Sequence, residues 1–146
     1  MRVFFSPKHK SHSPKTFISK GKILESPEQP KRADILEKAA RLAGHDFIEA
    51  KRYGLKPIKS IHDSGYIQFL KTAWSIWENT PNSGTEIIPN VHPGRNMNAS
   101  PNSIISLSGH YQADTACPIG EGTYEGIIAS SDVAVSGAYA IMNDIK

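Results

Sequence analysis

Six apolar residues, Tyr66, Phe69, Leu70, Ala73, Trp74 and Trp77, stand at i, i+3, i+4, i+7, i+8 and i+11. That spacing places them on one continuous stripe of an α-helix. A stripe carrying two tryptophans has to be buried against something, so it reads as core and not as a platform for ligands. Asp63 or Ser64 can cap the start of this helix, and Asn79-Thr80-Pro81-Asn82-Ser83-Gly84 ends it. An earlier helix is predicted from about Lys31 to Ala43. Ile35, Leu36, Ala39 and Leu42 recur there at helical spacing, with Pro30 suited to the first turn and Gly44 as a stop. A later helix is predicted from about Thr123 to Asn143, with Tyr124, Ile127, Ile128, Val135, Ala138, Ile141 and Met142 holding its inner face. Gly126, Ser130, Ser131, Ser136 and Gly137 keep that helix slim enough for another backbone to approach. Its pattern runs on without a stop signal, which reads as truncation before the element that would cover it.

Strand signals are few. Val3-Phe4-Phe5 reads as a buried strand, and Phe47-Ile48 as a short one after the first helix. Residues 6–30 and 80–122 are expected to be irregular, the first punctuated by Pro7, Pro14, Pro27 and Pro30, the second by Pro81, Pro89, Pro93, Pro101 and Pro118. Loops of that length usually serve a function, and here they suggest a rim or an interface. The chain taken alone is therefore expected to be mostly α-helical, with one or two short strands and long loops, as a single partial domain over residues 1–146.

Composition removes several classes of protein. No apolar run approaches the roughly 20 residues that span a bilayer, and the opening Met1-Arg2-Val3-Phe4-Phe5-Ser6-Pro7 has no apolar secretory core. A cytoplasmic location without a membrane partner is the expectation. The single cysteine, Cys117, can form neither an internal disulfide nor a thiolate metal cage. Charge is uneven. Residues 1–59 carry 14 Lys/Arg against 6 Asp/Glu, and residues 60–146 carry 3 against 8. A basic half of this kind can meet nucleic acid. Its cations are not interleaved with aromatics for base stacking, which favours two halves of one domain that balance each other, or a basic half that faces an acidic part not present here.

The chain contains no Gly-x-Ser-x-Gly elbow, phosphate-binding glycine loop or His-Glu-x-x-His pair. Among six histidines only His9-x-x-His12 is closely spaced, and it lies in a Lys/Ser loop without a neighbouring carboxylate. Asp63, after His62, serves more naturally as a helix cap than as a partner that orients the imidazole. Chemistry read from these residues alone does not indicate an enzyme.

Taken together, five segments resemble the start of the histone deacetylase and acetylpolyamine amidohydrolase family. They are Met1-Arg2-Val3-Phe4-Phe5-Ser6 with His9-Lys10; Pro27-Glu28-Gln29-Pro30-Lys31-Arg32-Ala33; Ile61-His62-Asp63-Ser64-Gly65-Tyr66-Ile67-Gln68-Phe69-Leu70 with Thr72-Ala73-Trp74; Val91-His92-Pro93-Gly94-Arg95-Asn96-Met97; and Gly109-His110-Tyr111 continuing through Ala113–Ile119 to Gly122-Thr123-Tyr124-Glu125. They occur in family order and cover nearly the whole chain.

The resemblance implies the N-terminal part of an α/β, three-layer arginase-deacetylase fold. For the complete enzyme it implies a zinc-bound water that attacks an acetylamide, with the metal lowering the water's pKa and a histidine pair moving protons. The family places its metal ligands, histidine pair and transition-state tyrosine beyond the last predicted helix. No catalytic or metal residue is therefore assigned here, and no cofactor is expected in this chain, although zinc is expected in the complete enzyme. What the resemblance does carry over is a rim around the substrate channel, or a dimer loop: His9, His12, Phe17 and Ile18 in the first loop, and His92, Arg95 and Met97 in the second. Polyamine-selective relatives tend to place acids near the mouth. Here Phe17 and Ile18 occupy the corresponding part of a basic loop, so a neutral or acidic acetylated small molecule also fits.

Three functions follow: an inactive N-terminal part of a zinc amidohydrolase acting on acetylated amines; a non-catalytic helical module descended from that family; and, least favoured, a nucleic-acid-binding domain. The first two predict homo-oligomers formed through apolar helix faces.

Overall fold

The computed structural model describes residues 1–94, 96–97 and 101–143. In chain order the elements are β1 (Arg2–Phe5), a 3-10 turn (Pro7–Ser11), β2 (Thr16–Ser19), β3 (Lys22–Glu25), α1 (Pro30–Leu42), β4 (Asp46–Glu49), α2 (Lys56–Lys59), α3 (Ser64–Trp77), α4 (Ile104–Tyr111) and α5 (Thr123–Met142). They fall into two compact units. One comprises residues 1–13, 29–63 and 122–146; the other comprises residues 14–28 and 64–121. No helix among the described residues is long and apolar enough to cross a membrane.

The first unit is built on a parallel pair. β1 and β4 run side by side with Val3 opposite Phe47 and Phe4 opposite Ile48. Parallel neighbours need a crossover connection, and α1 supplies its helix. Pro30 sits at the start of α1, where its missing N–H costs nothing. Gly44, at φ +73°, takes the left-handed conformation that closes the other end. There the Gly44 N–H donates to the Arg41 carbonyl at 3.0 Å and the His45 N–H to the Ala40 carbonyl at 3.2 Å, a paired cap for the last free carbonyls. No residue of α1 is buried: its predicted apolar face leaves Leu36 70% and Leu42 80% exposed.

α5 differs from its predicted orientation. The buried residues are Thr123, Gly126, Ala129, Asp132 and Ser136, the small face, while Ile141 and Met142 stay exposed. The cause is close approach. A Cβ at Gly126 would come 3.0 Å from the His12 Cβ, and one at Gly122 would overlap the Ser11 carbonyl. With the 3-10 turn lying this near, only small side chains fit under it.

The second unit corrects two parts of the sequence reading. Part of residues 6–30 folds as a hairpin, β2 pairing antiparallel with β3 so that Phe17 faces Leu24 and Ile18 faces Ile23. The two-residue connection Lys20-Gly21 has φ of 51° and 72°, the double left-handed turn whose twist matches a hairpin. The described residues thus form four short strands in place of one or two. Residues 80–122, expected to be irregular, contain α4, capped by the Ser103 hydroxyl accepting the Ser106 N–H at 3.2 Å. α3 starts at Ser64 as expected and buries Ile67, Phe69, Leu70 and Ala73. Ile67 lies outside the predicted stripe.

Around α3 the second unit builds an apolar core with Ile87, Ile104 and Ile119. Ile87 and Ile119 exchange backbone hydrogen bonds of 2.8 and 3.1 Å. Pro14, Pro89 and Pro118 are completely enclosed. Each fully buried aliphatic side chain is worth about 1.5–3 kcal/mol, so this core supplies most of the unit's driving force.

Candidate functional site

In the first unit the 3-10 turn and the first turn of α5 form a polar cluster. Glu125 accepts the Lys8 ammonium at 2.7 Å and the Ser11 hydroxyl at 3.2 Å. The Lys8 hydrogen bond, helped by the charges of Lys8 and Arg52, holds the Glu125 carboxyl below the usual glutamate range. His12 Nδ1 lies 2.9 Å from the Thr123 hydroxyl. His9 Nδ1 donates to the Ser6 carbonyl at 2.9 Å, and its Nε2 stands 3.6 Å from Asp34. Lys10 reaches the same carboxylate at 3.0 Å and is the chief cause of its lowered pKa. Two buried groups on α5 secure the chain after β4: Asp132 accepts the Tyr53 N–H at 2.9 Å, and Ser136 the Lys51 N–H at 3.1 Å. Asp132, Glu125, Lys8, Glu49 and Arg52 line a cleft of about 380 Å³ beyond the carboxyl ends of β1 and β4. It offers charges of both signs.

In the second unit Glu86 is 6% exposed. Burial pushes its pKa up, but the Thr85 hydroxyl, the Lys15 N–H at 2.6 Å and the Thr16 hydroxyl at 2.7 Å outweigh it, leaving the carboxyl below the usual range. A carboxylate so fully engaged fixes the base of the hairpin and is not free to act as a base. Gln112, buried at the end of α4, donates to the Cys117 carbonyl at 2.6 Å. The Cys117 thiol donates to Asp114 at 3.5 Å; burial and that neighbour raise its pKa, away from the reactive thiolate. Tyr66, Phe69 and Tyr111 form an aromatic cluster with centroids 5.2 and 5.6 Å from Tyr111.

The residues expected at a rim fall into separate places. His9 and His12 belong to the first unit, on the 3-10 turn and directly after it. Phe17 and Ile18 lie in β2, where the Ile18 carbonyl accepts the Thr115 hydroxyl at 2.7 Å. His92 is exposed, its Nδ1 3.2 Å from the Gly109 carbonyl. Met97 is 57% exposed, and Arg95 lies outside the described residues. The segment holding His92 runs tight against α4, since a Cβ at Gly109 would overlap the Val91 carbonyl. Sequence reasoning missed Glu86, Glu125 and Asp132. Of these Asp132 left a signal, as an acid amid the apolar and small residues of the last helical pattern.

Among the described residues no group of three or more His, Cys, Asp or Glu side chains is placed to hold a metal ion. The residues present do not fit the zinc that the family resemblance implies.

No family model matches the chain. It is 31% identical to acetylpolyamine amidohydrolase 2 of Pseudomonas aeruginosa over 148 aligned positions, covering 100% of this chain and 43% of that protein. It is 34% identical to the acetylpolyamine amidohydrolase of Mycoplana ramosa, covering 94% of this chain and 41% of that protein. The crystal structure of acetylpolyamine aminohydrolase from Burkholderia pseudomallei superposes with a TM-score of 0.92 at 29% identity, covering 98% of this chain and 42% of that one. The chain thus spans about two-fifths of the length of the relatives it matches, an extent consistent with an N-terminal portion. Similarity of sequence and of backbone over nearly every residue leads to one assignment: the chain belongs to the acetylpolyamine amidohydrolase family.

Proposed function

We propose that the chain is the N-terminal part of a zinc-dependent amidohydrolase that removes acetyl groups from small acetylated amines, and that it supplies scaffold and channel rim but no catalytic group. The observation that carries this reading is the pairing of near-complete backbone similarity to such an enzyme with the absence, among the described residues, of any grouping fit for a metal. When bound in a complete family member, zinc would activate water and polarise the amide carbonyl. The residues of this chain would contribute shape and charge at the mouth: His9, beside Asp34, and His12, beside Thr123, and Phe17, Ile18, His92, Arg95 and Met97 from the hairpin and second loop.

Metal analysis and an acetylamide hydrolysis assay test the reading. The purified chain is expected to hold no stoichiometric zinc and to release no acetate from an acetylated diamine. A protein of family length made by joining this chain to the remaining three-fifths of a relative is expected to gain both. Roughly one tightly held zinc per chain in the 146-residue protein alone would sink the proposal.

A second reading, a non-catalytic helical module that associates with itself, draws on α1, whose Ile35, Leu36 and Leu42 are exposed. Light scattering that shows a stable monomer across concentrations would remove it.

A further inference from the structure

Asp132 of α5 is 6% exposed. The Tyr53 N–H, 2.9 Å from its Oδ1, is its one hydrogen-bonding partner among the described residues, and no cationic side chain there forms an ion pair with it. Taking a carboxylate out of water is costly unless a cation or several donors replace the water. A single amide replaces little of it. Glu86, the other buried acid, has three donors closed around it. The second oxygen of Asp132 is not sealed off, so it opens on the cleft that this residue lines.

That cleft, of about 380 Å³, is of a size that takes small ligands. Its walls are held in place before anything enters. The Lys51 N–H donates to the Ser136 hydroxyl at 3.1 Å, and the Tyr53 ring stacks on Tyr139 with centroids 5.4 Å apart. The chain after β4 is thereby fixed against α5. Half-buried Leu55 and Ile128 and buried Ala129 give the cleft an apolar side. Lys8 and Glu125, also at its wall, satisfy each other at 2.7 Å. Arg52 lines the same cleft as an exposed cation and forms no ion pair among the described residues. Exposed Glu49 adds an unpaired carboxylate. One cleft thus holds a buried acid without a cation, a guanidinium without an acid, and an apolar wall.

We infer that this cleft binds a small aliphatic α-amino acid, with its ammonium at Asp132, its carboxylate at Arg52 and its side chain on Leu55 and Ile128. An ammonium brings both the positive charge and the N–H donors that Asp132 lacks. The planar guanidinium of Arg52 takes a carboxylate through two parallel hydrogen bonds. A carboxylic acid alone is repelled, because Asp132, Glu49 and Glu125 outnumber Lys8 and Arg52. A simple amine leaves Arg52 unmatched. The inference is independent of the amidohydrolase reading, since the cleft is made by this chain's own side chains and its occupant needs neither zinc nor amide hydrolysis.

The test titrates L-leucine into the isotopically labelled 146-residue chain and follows the amide resonances by NMR. Isoamylamine, which lacks the carboxylate, and isocaproate, which lacks the ammonium, are titrated alongside. Leucine is expected to bind saturably and to move the resonance of the Tyr53 N–H, which is bonded to Asp132. Isoamylamine should bind about tenfold more weakly, and isocaproate more weakly still, each having lost a charged hydrogen-bonding group. Asp132→Asn keeps an oxygen for the Tyr53 N–H but removes the charge, and should weaken leucine about tenfold. Arg52→Gln should bring leucine down to the affinity of isoamylamine and leave isoamylamine unchanged. Its side chain is exposed, so it decides the question even where the Asp132 variant does not fold. No shift in the cleft at tens of millimolar leucine overturns the inference. Isoamylamine or isocaproate binding as tightly as leucine overturns it too, as does leucine binding that Arg52→Gln leaves unaltered.

Discussion

The two units solve the problem of a small core in opposite ways. The unit of residues 14–28 and 64–121 buries Ile67, Phe69, Leu70, Ala73, Ile87, Ile104 and Ile119, whereas among the described residues of the other unit the buried apolar side chain is Ala129, beside Thr123, Asp132 and Ser136. The first arrangement draws its stability from area removed from water. The second depends on hydrogen bonds from the Lys51 and Tyr53 N–H groups to α5 and on the cluster around Glu125, while its larger apolar side chains are half-buried, as Phe4, Phe5 and Ile128 are, or exposed, as Leu36, Ile141 and Met142 are. Polar contacts of this sort add little net stability, about 1 kcal/mol each. The difference marks one unit as held by apolar burial and the other as held by polar contacts.

Substitutions can break that contrast, and the largest effect is expected in the apolar core. Ile87→Ala, at a position with no exposure, should cost about 3–4 kcal/mol. Both tryptophans, Trp74 and Trp77, lie in the same unit, so urea unfolding followed by their fluorescence reads that unit directly. A loss under about 1 kcal/mol would contradict a closed core.

Glu86→Ala should cost about 2–3 kcal/mol by the same fluorescence measurement, because the Lys15 N–H and the Thr16 hydroxyl lose their acceptor. Gly122→Ala forces a methyl group into the Ser11 carbonyl and should cost about 2 kcal/mol. Its signature is faster amide exchange in α5 with an unmoved tryptophan midpoint; a shift of both together would show that the two units unfold as one.

Acidity gives a milder test. The folded carboxyl of Glu86 titrates below its unfolded value of about 4.3. The stabilisation it provides is therefore complete above that value and is lost as pH falls through the lower folded one. Fluorescence midpoints between pH 6 and pH 3 should fall more steeply for the native chain than for Glu86→Gln. The smallest effect belongs to the exposed face of α1: Leu36→Ser should change stability by less than about 0.5 kcal/mol, while weakening any self-association seen by light scattering.

How much of this could be read in advance depended on whether the signal was local. The spacing of Phe69, Leu70 and Ala73 announced α3, and Pro30 with Gly44 bracketed α1 to within a residue or two, because those signals lie within a helical turn. The orientation of α5 could not be read the same way. Its apolar and small faces both have helical period, and only the closeness of His12 and Ser11, more than a hundred residues away in sequence, decides which is buried. The hairpin was legible in principle: Lys20-Gly21 between Thr16–Ser19 and Lys22–Glu25 is a two-residue turn signal, hidden among prolines and lysines. α4 is short, and Ser106, Ser108 and Gly109 dilute its periodicity. Of the candidate site, the family resemblance located the loops, while the burial of Glu86 and the bonding of Asp132 depend on contacts 70 or more residues apart.

The enclosed prolines have one more implication. A loop carried into a protein interior must find a partner for every main-chain N–H, and this unit draws much of its interior from loops. Pro14, Pro89 and Pro118 have no N–H to satisfy, so the chain passes through dry surroundings at those points with one fewer demand on its neighbours. Alanine at any of them would bring an orphan donor into the interior along with the lost ring. Imino acids here act as insulation, allowing irregular segments to serve where a sheet or helix would otherwise be required.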